Sequence, residues 1–483
     1  MSATTPQVSF SALSKGAEVE LAIDKLAFGG KALGRVNGFV VFVDHAVPGQ
    51  KVRVQITRKK SQFAEARVVQ ILEQSPAYEP PFCPHFGLCG GCQWQDLAYP
   101  EQLHWKRVHV QECLRHLAGL TPADILPPVA SPQRYYRNKM EFTFAPRAWQ
   151  PSDDLTPEKT AHPGGCALGL HVGSSFDQIF NLEVCFLQSP QAPSIVQEVR
   201  RWCAKSGLSA YNPRTQRGFW RFLVLREGKN TGQTLVHLIT TDQGKPVVVE
   251  ALATHLVAAF PGITSLVHSR SHKKAQLAYG EASRTLYGPG YIEELIGDLR
   301  LRVSAQAFLQ TNTAAAAGLY DAIKRLGEFT GQETVWDLYC GAGSIALSVA
   351  PQVRRVLGFE LVEAAMNDAY LNSRLNGIDN CRFLAGDLKE RLRETHLSGQ
   401  PGPDVVITDP PRAGMQPQVV QTLLALSPRR LIYVSCNPAT LARDLALLQE
   451  HYDILSIQPF DLFPHTSHIE CLAHLTRRHL IQT

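Results

Sequence analysis

Long apolar runs are missing from this chain. No stretch comes near the roughly 20 consecutive apolar residues that cross a bilayer, so no membrane partner is expected. The N-terminus, Met1-Ser-Ala-Thr-Thr-Pro6, has no basic stretch leading into an apolar one. A secretory leader is therefore not expected, and the protein is expected in the cytoplasm. Charge is sparse as well. Charged residues make up 19% of the chain and the net charge is +5, too little to argue for a polyanionic partner on composition alone. No internal repeat or low-complexity tract is present. What remains is an ordinary globular composition, 44% hydrophobic over 483 residues. That length is enough for roughly two to four domains with ample core. In a reducing compartment, its eleven cysteines point to metal, cluster or catalytic use rather than to disulfides.

The small positive charge is unevenly spread. Residues 1–75 hold ten Lys/Arg and six Asp/Glu, a surplus of +4, which leaves only +1 for the rest. This segment reads as all-β. Val19–Ile23 alternates, Gly29, Gly30 and Gly34 punctuate, Gly38–Val43 and Lys51–Ile56 are strands about a Pro48-Gly49 turn, and Ala64–Ile71 closes the set. Short strands, glycine turns and a basic surface suit a small barrel that grips phosphate backbones; a merely solvated basic face is the plainer reading. Over residues 12–73 the pattern resembles a TRAM domain, the OB-like RNA-binding barrel attached to RNA-modifying enzymes.

A glycine-rich loop follows, Cys83-Pro-His-Phe-Gly-Leu-Cys89-Gly-Gly-Cys92. Three thiols spaced C-x5-C-x2-C are hard to explain as packing, and thiolates are soft ligands for iron–sulfur clusters or zinc. Cys166, in the glycine-rich turn His162-Pro-Gly-Gly-Cys166, is the expected fourth ligand, while Cys113, Cys185 and Cys203 read as buried apolar residues. Zinc ribbons present two paired knuckles and this chain has one, so the spacing favours a cluster over a structural zinc site. A helix is expected over residues 96–118, ended by Gly119. Arg134-Tyr-Tyr-Arg-Asn-Lys139 interleaves cations with aromatics, which suits either RNA stacking or plain β-structure. Residues 149–160 are polar and proline-rich and read as a loop. A mixed central domain is expected over 75–300.

From residue 301 the grammar becomes alternating strands and helices. Thr334–Leu338 followed by Tyr339-Cys-Gly341-Ala-Gly343-Ser344 reads as strand, glycine loop and helix, the first unit of a doubly wound, Rossmann-like sheet. Acids stand at four successive strand ends: Asp337, Glu360, Asp387 and Asp409. Glu360 falls about 20 residues past the loop, where a carboxylate can take both ribose hydroxyls. The loop lacks the full dinucleotide spacing, so S-adenosylmethionine is the natural ligand. Leu431-Ile-Tyr-Val-Ser-Cys436-Asn-Pro-Ala439 is a strand running into a helix capped by Asn437, which puts Cys436 at the carboxyl edge of the sheet. There a thiol can act as a nucleophile, although most free cysteines are small buried hydrophobes.

These motifs carry a resemblance. Asp337-Leu-Tyr-Cys-Gly-Ala-Gly343, Asp409-Pro-Pro-Arg-Ala-Gly414, Ser435-Cys-Asn-Pro-Ala-Thr-Leu-Ala-Arg-Asp444 and Phe463-Pro-His-Thr-Ser-His-Ile-Glu470 resemble the RNA uracil-C5 methyltransferases. With the barrel and cysteine loop, the likeness is to the branch acting on 23S ribosomal RNA. The resemblance implies a [4Fe-4S] cluster on Cys83, Cys89, Cys92 and Cys166. It also implies S-adenosylmethionine contacts from Gln310, Tyr339, Ser344, Glu360, Asp387 and Asp409. Ser344 stands where asparagine or threonine is common, and Thr311 where valine is usual.

The chemistry explains the residues. Uracil C5 is too weak a nucleophile to take a methyl group unaided. A Cys436 thiolate adding to C6 would make C5 nucleophilic. The C5 proton must then leave, and Glu470 is the expected general base. Arg443 and Asp444 read as a structural pair behind Cys436, and His465 and His468 as support for Glu470 or as packing. Three other functions stand beside this one. A transfer-RNA T-loop methyltransferase is expected to lack barrel and cluster loop. A cytosine-C5 enzyme should carry a cysteine in the Asp409-Pro-Pro-Arg412 motif. A non-catalytic assembly factor should have lost Cys436 or Glu470. A monomer binding RNA, without a stable protein partner, is expected.

Overall fold

The structure is a computed structural model that describes residues 13–120, 125–150, 166–173, 175–397 and 402–478. The expected loop at 149–160 lies outside these residues from 151 onward, as does the turn at 162–165.

The first five strands, β1 (Glu18–Leu26), β2 (Ala32–Val36), β3 (Phe39–Asp44), β4 (Lys51–Lys59) and β5 (Phe63–Glu73), close into a barrel of order β1-β2-β3-β5-β4. Strict alternation drives this: Val19, Leu21 and Ile23 point inward with Val52, Val54 and Ile56 from the paired β4. Helix α1 (Tyr99–Ala118) starts at Pro100 in its first turn and ends on Gly119, left-handed at φ 64°, as its sequence predicts. The barrel rests on it. His109 Nε2 lies 2.9 Å from the Leu26 carbonyl, and Lys25 pairs with Glu112 at 2.6 Å.

The second sheet has the order β12-β11-β10-β9-β6-β7-β8. Its strands are β6 (Lys139–Ala145), β7 (Ala167–His171), β8 (Ile179–Asn181), β9 (Trp220–Glu227), β10 (Thr234–Thr240), β11 (Ile263–Arg270) and β12 (Ala282–Tyr287). Helices α2 (Gln191–Lys205) and α3 (Pro246–Ala259) cover it over Phe142, Leu223, Leu225 and Leu238. A hairpin, β13 (Tyr291–Ile296) and β14 (Leu299–Ser304), leads into α4 (Thr313–Gly327) and shares its core with the third sheet.

That sheet has the order β17-β16-β15-β18-β19-β21-β20. Strands β15 (Thr334–Leu338), β16 (Arg355–Glu360), β17 (Cys381–Ala385), β18 (Val405–Thr408) and β19 (Arg430–Ser435) run parallel; β20 (Tyr452–Phe460) and β21 (Glu470–Arg477) are antiparallel. The crossovers are α5 (Ser344–Val349), α6 (Glu363–Leu375), α7 (Leu388–Leu397), α8 (Pro417–Leu426) and α9 (Pro438–Leu448). Strand order reverses between β15 and β18, and the crevice at the carboxyl ends there is where such sheets bind ligands. The protein is thus a closed five-stranded barrel, a mixed α/β centre and a Rossmann-like sheet. Among the described residues no helix is long and apolar enough to cross a membrane.

Candidate active site

At the switch point lies a cavity of about 900 Å³ lined by Gln310, Tyr339, Glu360, Asp387, Asp409, Cys436 and Glu470. Each enters from a strand end or the loop after it. The glycine loop allows the close approach: Gly343 sits at φ 81°, and a Cβ there would meet Ala369 at 3.0 Å and Phe383 at 3.1 Å. Glu360 Oε2 accepts from the Gly341 amide at 3.0 Å, and its Oε1 from Val362 at 2.8 Å. Asp387 accepts from the Lys389 amide at 3.0 Å. Asp409 is buried and accepts from Gln310 Nε2 at 3.2 Å; burial pushes its carboxyl up to about 7, against that hydrogen bond. Leu361 and Val362, 69% and 55% exposed, lie bare beside Glu360 along the same cavity. A row of acids beside uncovered apolar surface fits the ribose and base of an S-adenosyl nucleoside.

Ser344 is not brought to the cavity lining. It opens α5, and its hydroxyl accepts from Tyr320 at 2.8 Å, tying α4 to α5. Asp337 is wholly buried beneath the cavity. One oxygen accepts from Ala346 at 2.9 Å and the other has no partner, while burial and then Asp409 push its carboxyl far up.

Cys436 stands where the sequence places it. Strand β19 ends at Ser435, Asn437 caps α9 by accepting from the Ala439 amide at 3.1 Å, and Pro438 occupies the first turn. Across the sheet Ser435 pairs with Cys471, which brings Glu470, the first residue of β21, beside Cys436. Burial, with Glu470 and Asp409 close by, pushes the thiol up to about 11; Arg412 works the other way. Glu470 is 2% exposed, and its Oε1 has no hydrogen-bond partner. Burial and then Asp409 raise its carboxyl well above the usual range, again opposed by Arg412. Arg412 lines the cavity as the nearby cation, a role the sequence reading did not assign, although its place after Asp409-Pro-Pro was the available signal.

The segment carrying Glu470 is held from the other end of the chain. Lys106 of α1, 1% exposed, pairs with the fully buried Asp461 at 2.5 Å and donates to the Phe463 carbonyl at 3.1 Å. Gln102 accepts from the His465 amide at 2.8 Å and its own amide lies 3.1 Å from His465 Nδ1, while the amides of Gln93 and Trp94 donate to the His465 carbonyl. His465 is thereby structural. His468 lines the cavity, and burial, with Arg412 nearby, lowers it to about 4. Asp444 accepts from the Met415 amide at 2.9 Å and from Tyr433 at 2.7 Å, and Arg443 brackets it, so this pair fastens the Asp409–Gly414 loop to α9.

The cysteine loop gives a correction. Cys83, Cys89 and Cys92 line a second cavity of about 680 Å³, and the fourth thiol there is Cys185, not Cys166. Cys166 immediately precedes β7 and its thiol faces Cys203 of α2 in the core of the second sheet. Cys185 is drawn to the loop because the Tyr135 and Arg137 amides donate to the carbonyls of Phe186 and Leu187, laying residues 185–187 along the cavity wall. Its apolar flanks, Val184 and Phe186, made it read as buried. Burial raises all four thiols, Cys89 to about 11 and Cys92 to about 12. Among the described residues no group of three or more histidine, cysteine, aspartate or glutamate side chains converges tightly enough to hold a metal ion.

The comparisons agree with this architecture. A family model described as TRAM domain matches residues 13–69, and one described as tRNA (Uracil-5-)-methyltransferase matches residues 293–478. The chain is 40% identical over 474 residues to a protein of Nitratidesulfovibrio vulgaris named an uncharacterized RNA methyltransferase, covering 97% of this chain and 98% of that one. A protein of Bacteroides thetaiotaomicron bearing the same name is 39% identical, covering 94% and 100%. Among solved structures, the Pyrococcus abyssi tRNA (uracil-54, C5)-methyltransferase in complex with S-adenosyl-L-homocysteine aligns with a TM-score of 0.74. It is 26% identical, over 95% of this chain and 99% of that one. The chain therefore belongs to the TRAM-containing RNA uracil-5 methyltransferases, a family of S-adenosylmethionine-dependent enzymes.

Proposed function

We propose that this protein methylates C5 of a specific uridine in 23S ribosomal RNA through a covalent bond between Cys436 and uracil C6. The observation that carries the reading is Glu470, a buried carboxyl with an unpartnered oxygen, in the same cavity as the Cys436 thiol. Cys436 adds to C6, which makes C5 nucleophilic. S-adenosylmethionine, held by Gln310, Tyr339, Glu360, Asp387 and Asp409, supplies the methyl group. Glu470 then takes the C5 proton, the C6–S bond breaks, and Cys436 leaves with the electron pair. Arg412 stabilises the charge carried in turn by the thiolate and by Glu470. A base has to leave its stack to reach this crevice.

The barrel at 12–73, with its excess of Lys and Arg, grips the RNA outside the cavity, the central residues 75–300 shape its approach, and residues 301–483 carry the chemistry. The thiols of Cys83, Cys89, Cys92 and Cys185 line one cavity and are the soft donors that a [4Fe-4S] cluster would take. Such a cluster supplies a rigid cross-link and no step of methyl transfer. The protein works as a cytoplasmic monomer.

A second reading, methylation of the transfer-RNA T-loop, is favoured by one finding: the Pyrococcus abyssi protein named for tRNA uracil-54 aligns over nearly its whole length, barrel included. The test is nucleoside mass spectrometry of unmodified 23S rRNA and tRNA after reaction with S-adenosylmethionine. Product in 23S rRNA alone, absent with Cys436→Ala, is the expected result; product in tRNA alone replaces the substrate, and product in neither refutes the uridine chemistry.

A further inference from the structure

The loop between β11 and β12, residues 271–281, is far more tightly anchored than its sequence, Ser271-His-Lys-Lys-Ala-Gln-Leu-Ala-Tyr-Gly-Glu281, suggests. Arg221 of β9 is 2% exposed, and its guanidinium is spent on this loop's backbone. It donates to the Ser271 carbonyl and hydroxyl at 3.3 and 3.1 Å, to the Lys273 carbonyl at 2.7 Å and to the Ala275 carbonyl at 3.0 Å. It also lies 4.4 Å from the Tyr211 ring centroid. Burying a cation with neutral acceptors is expensive, so the position of this loop is strongly specified. The far end is clamped too. Gln306, which lines the catalytic cavity, accepts from the Gly280 amide at 3.0 Å and donates to the Gly280 carbonyl at 3.1 Å.

Between the clamps the side chains point outward. Lys273 and Lys274 are exposed, and among the described residues no ion pair engages either. The neighbouring acids are committed elsewhere: Asp242 to Arg270 and His272, and Glu281 to the His272 amide. Tyr279 is 46% exposed and lines the catalytic cavity, with the Lys273 ammonium 4.6 Å from its ring centroid. Two exposed cations without an ion pair among the described residues and an exposed aromatic ring, fixed at the mouth of the cavity proposed to take the target nucleotide, match the chemistry of single-stranded RNA. We infer that residues 271–281 form a rail for the strand flanking the target uridine. Tyr279 stacks on the neighbouring base, Lys273 and Lys274 hold its phosphates, and Arg221 and Gln306 position the loop. This rests on the RNA reading above.

The test uses the full chain and a 5′-fluorescein-labelled oligouridylate, with binding followed by anisotropy over a salt series. Lys273→Gln/Lys274→Gln is expected to reduce the slope of log Kd against log salt by about 1.4, from about 0.7 per phosphate on a single strand. Tyr279→Ala is expected to weaken binding about tenfold and Tyr279→Phe to restore it. S-adenosylmethionine affinity, measured by calorimetry, stays unchanged in Lys273→Gln/Lys274→Gln. Unaltered slope and affinity in the variants, with the wild type binding normally, overturn the rail alone. A variant that loses S-adenosylmethionine affinity while keeping RNA binding overturns it as well. A wild type that neither binds the oligonucleotide nor methylates any RNA overturns the underlying function first.

Discussion

Replacing Glu470 by glutamine separates the two halves of the proposed reaction. The two side chains have nearly the same volume, so packing around β21 is kept. Burial shifts the Glu470 carboxyl toward its uncharged form. A neutral amide therefore changes the ground state little, and a stability loss below about 1 kcal/mol is expected. Addition of Cys436 and methyl transfer need no base at this position. Release of the C5 proton does, and a positioned general base contributes about 10²- to 10⁴-fold, or about 3–5 kcal/mol of barrier. Turnover should fall by that factor while the methylated adduct accumulates. The assay is a denaturing gel with labelled RNA, alongside S-adenosylhomocysteine quantified against enzyme. Glu470→Gln should give a stoichiometric burst and one cross-linked RNA per chain, and Cys436→Ala should give neither. Turnover within tenfold of wild type, or loss of turnover with no burst and no adduct, refutes the assignment of Glu470.

Three further outcomes follow from other parts of the molecule. Because burial raises Cys436 to about 11, only roughly one thiol in a thousand is ionised at pH 8, and iodoacetamide labelling in the absence of substrate should climb steadily toward that pH. Asp409→Asn, which removes one of the raising charges, should shift the profile to lower pH, and an unmoved profile contradicts the electrostatic account. Lys106→Met leaves Asp461 as a buried lone charge and should cost about 3–5 kcal/mol in urea unfolding, while Lys106→Met/Asp461→Leu should recover most of it. Cys185→Ser should abolish iron and labile sulfide in anaerobically purified protein, whereas Cys166→Ser should keep both; the reverse pattern restores the ligand set expected from sequence.

The residues of the candidate site were legible because they sit at strand ends, where period and punctuation fix position. Cys436 with its Asn437 cap, and Glu360 beyond the glycine loop, lie where the motifs put them. Contacts between distant segments were not legible. The glycine-rich turn favoured Cys166 and the apolar flanks disfavoured Cys185, yet the pairing of residues 135–137 with 186–187 is what brings the Cys185 thiol to the loop. Arg134–Lys139 looked like an RNA-stacking run. In the fold, Asn138 donates to the Gln310 carbonyl at 2.9 Å, Tyr136 to that of Pro464 at 3.2 Å, and Arg134 covers the Phe82 ring at 4.1 Å. Two residues of that motif, Tyr136 and Asn138, thus join the central sheet to the methyltransferase unit. The barrel and cysteine loop seemed to select ribosomal RNA, yet a protein named for a tRNA position shares the fold across its length. The barrel architecture is therefore shared with a protein named for a tRNA position and does not by itself single out ribosomal RNA.

The pairing of Lys106 with Asp461 has a consequence for how the protein is made. The partners are 355 residues apart. At about 5–20 residues per second, α1 leaves the ribosome roughly 20–70 s before the strand that neutralises its lysine exists. The barrel and central sheet can close in that interval, but the methyltransferase unit cannot complete until nearly the last residues are translated. A chain cut short before Asp461 would carry Cys436 without Glu470 and leave Lys106 of α1 without its buried partner, the kind of product that quality control removes.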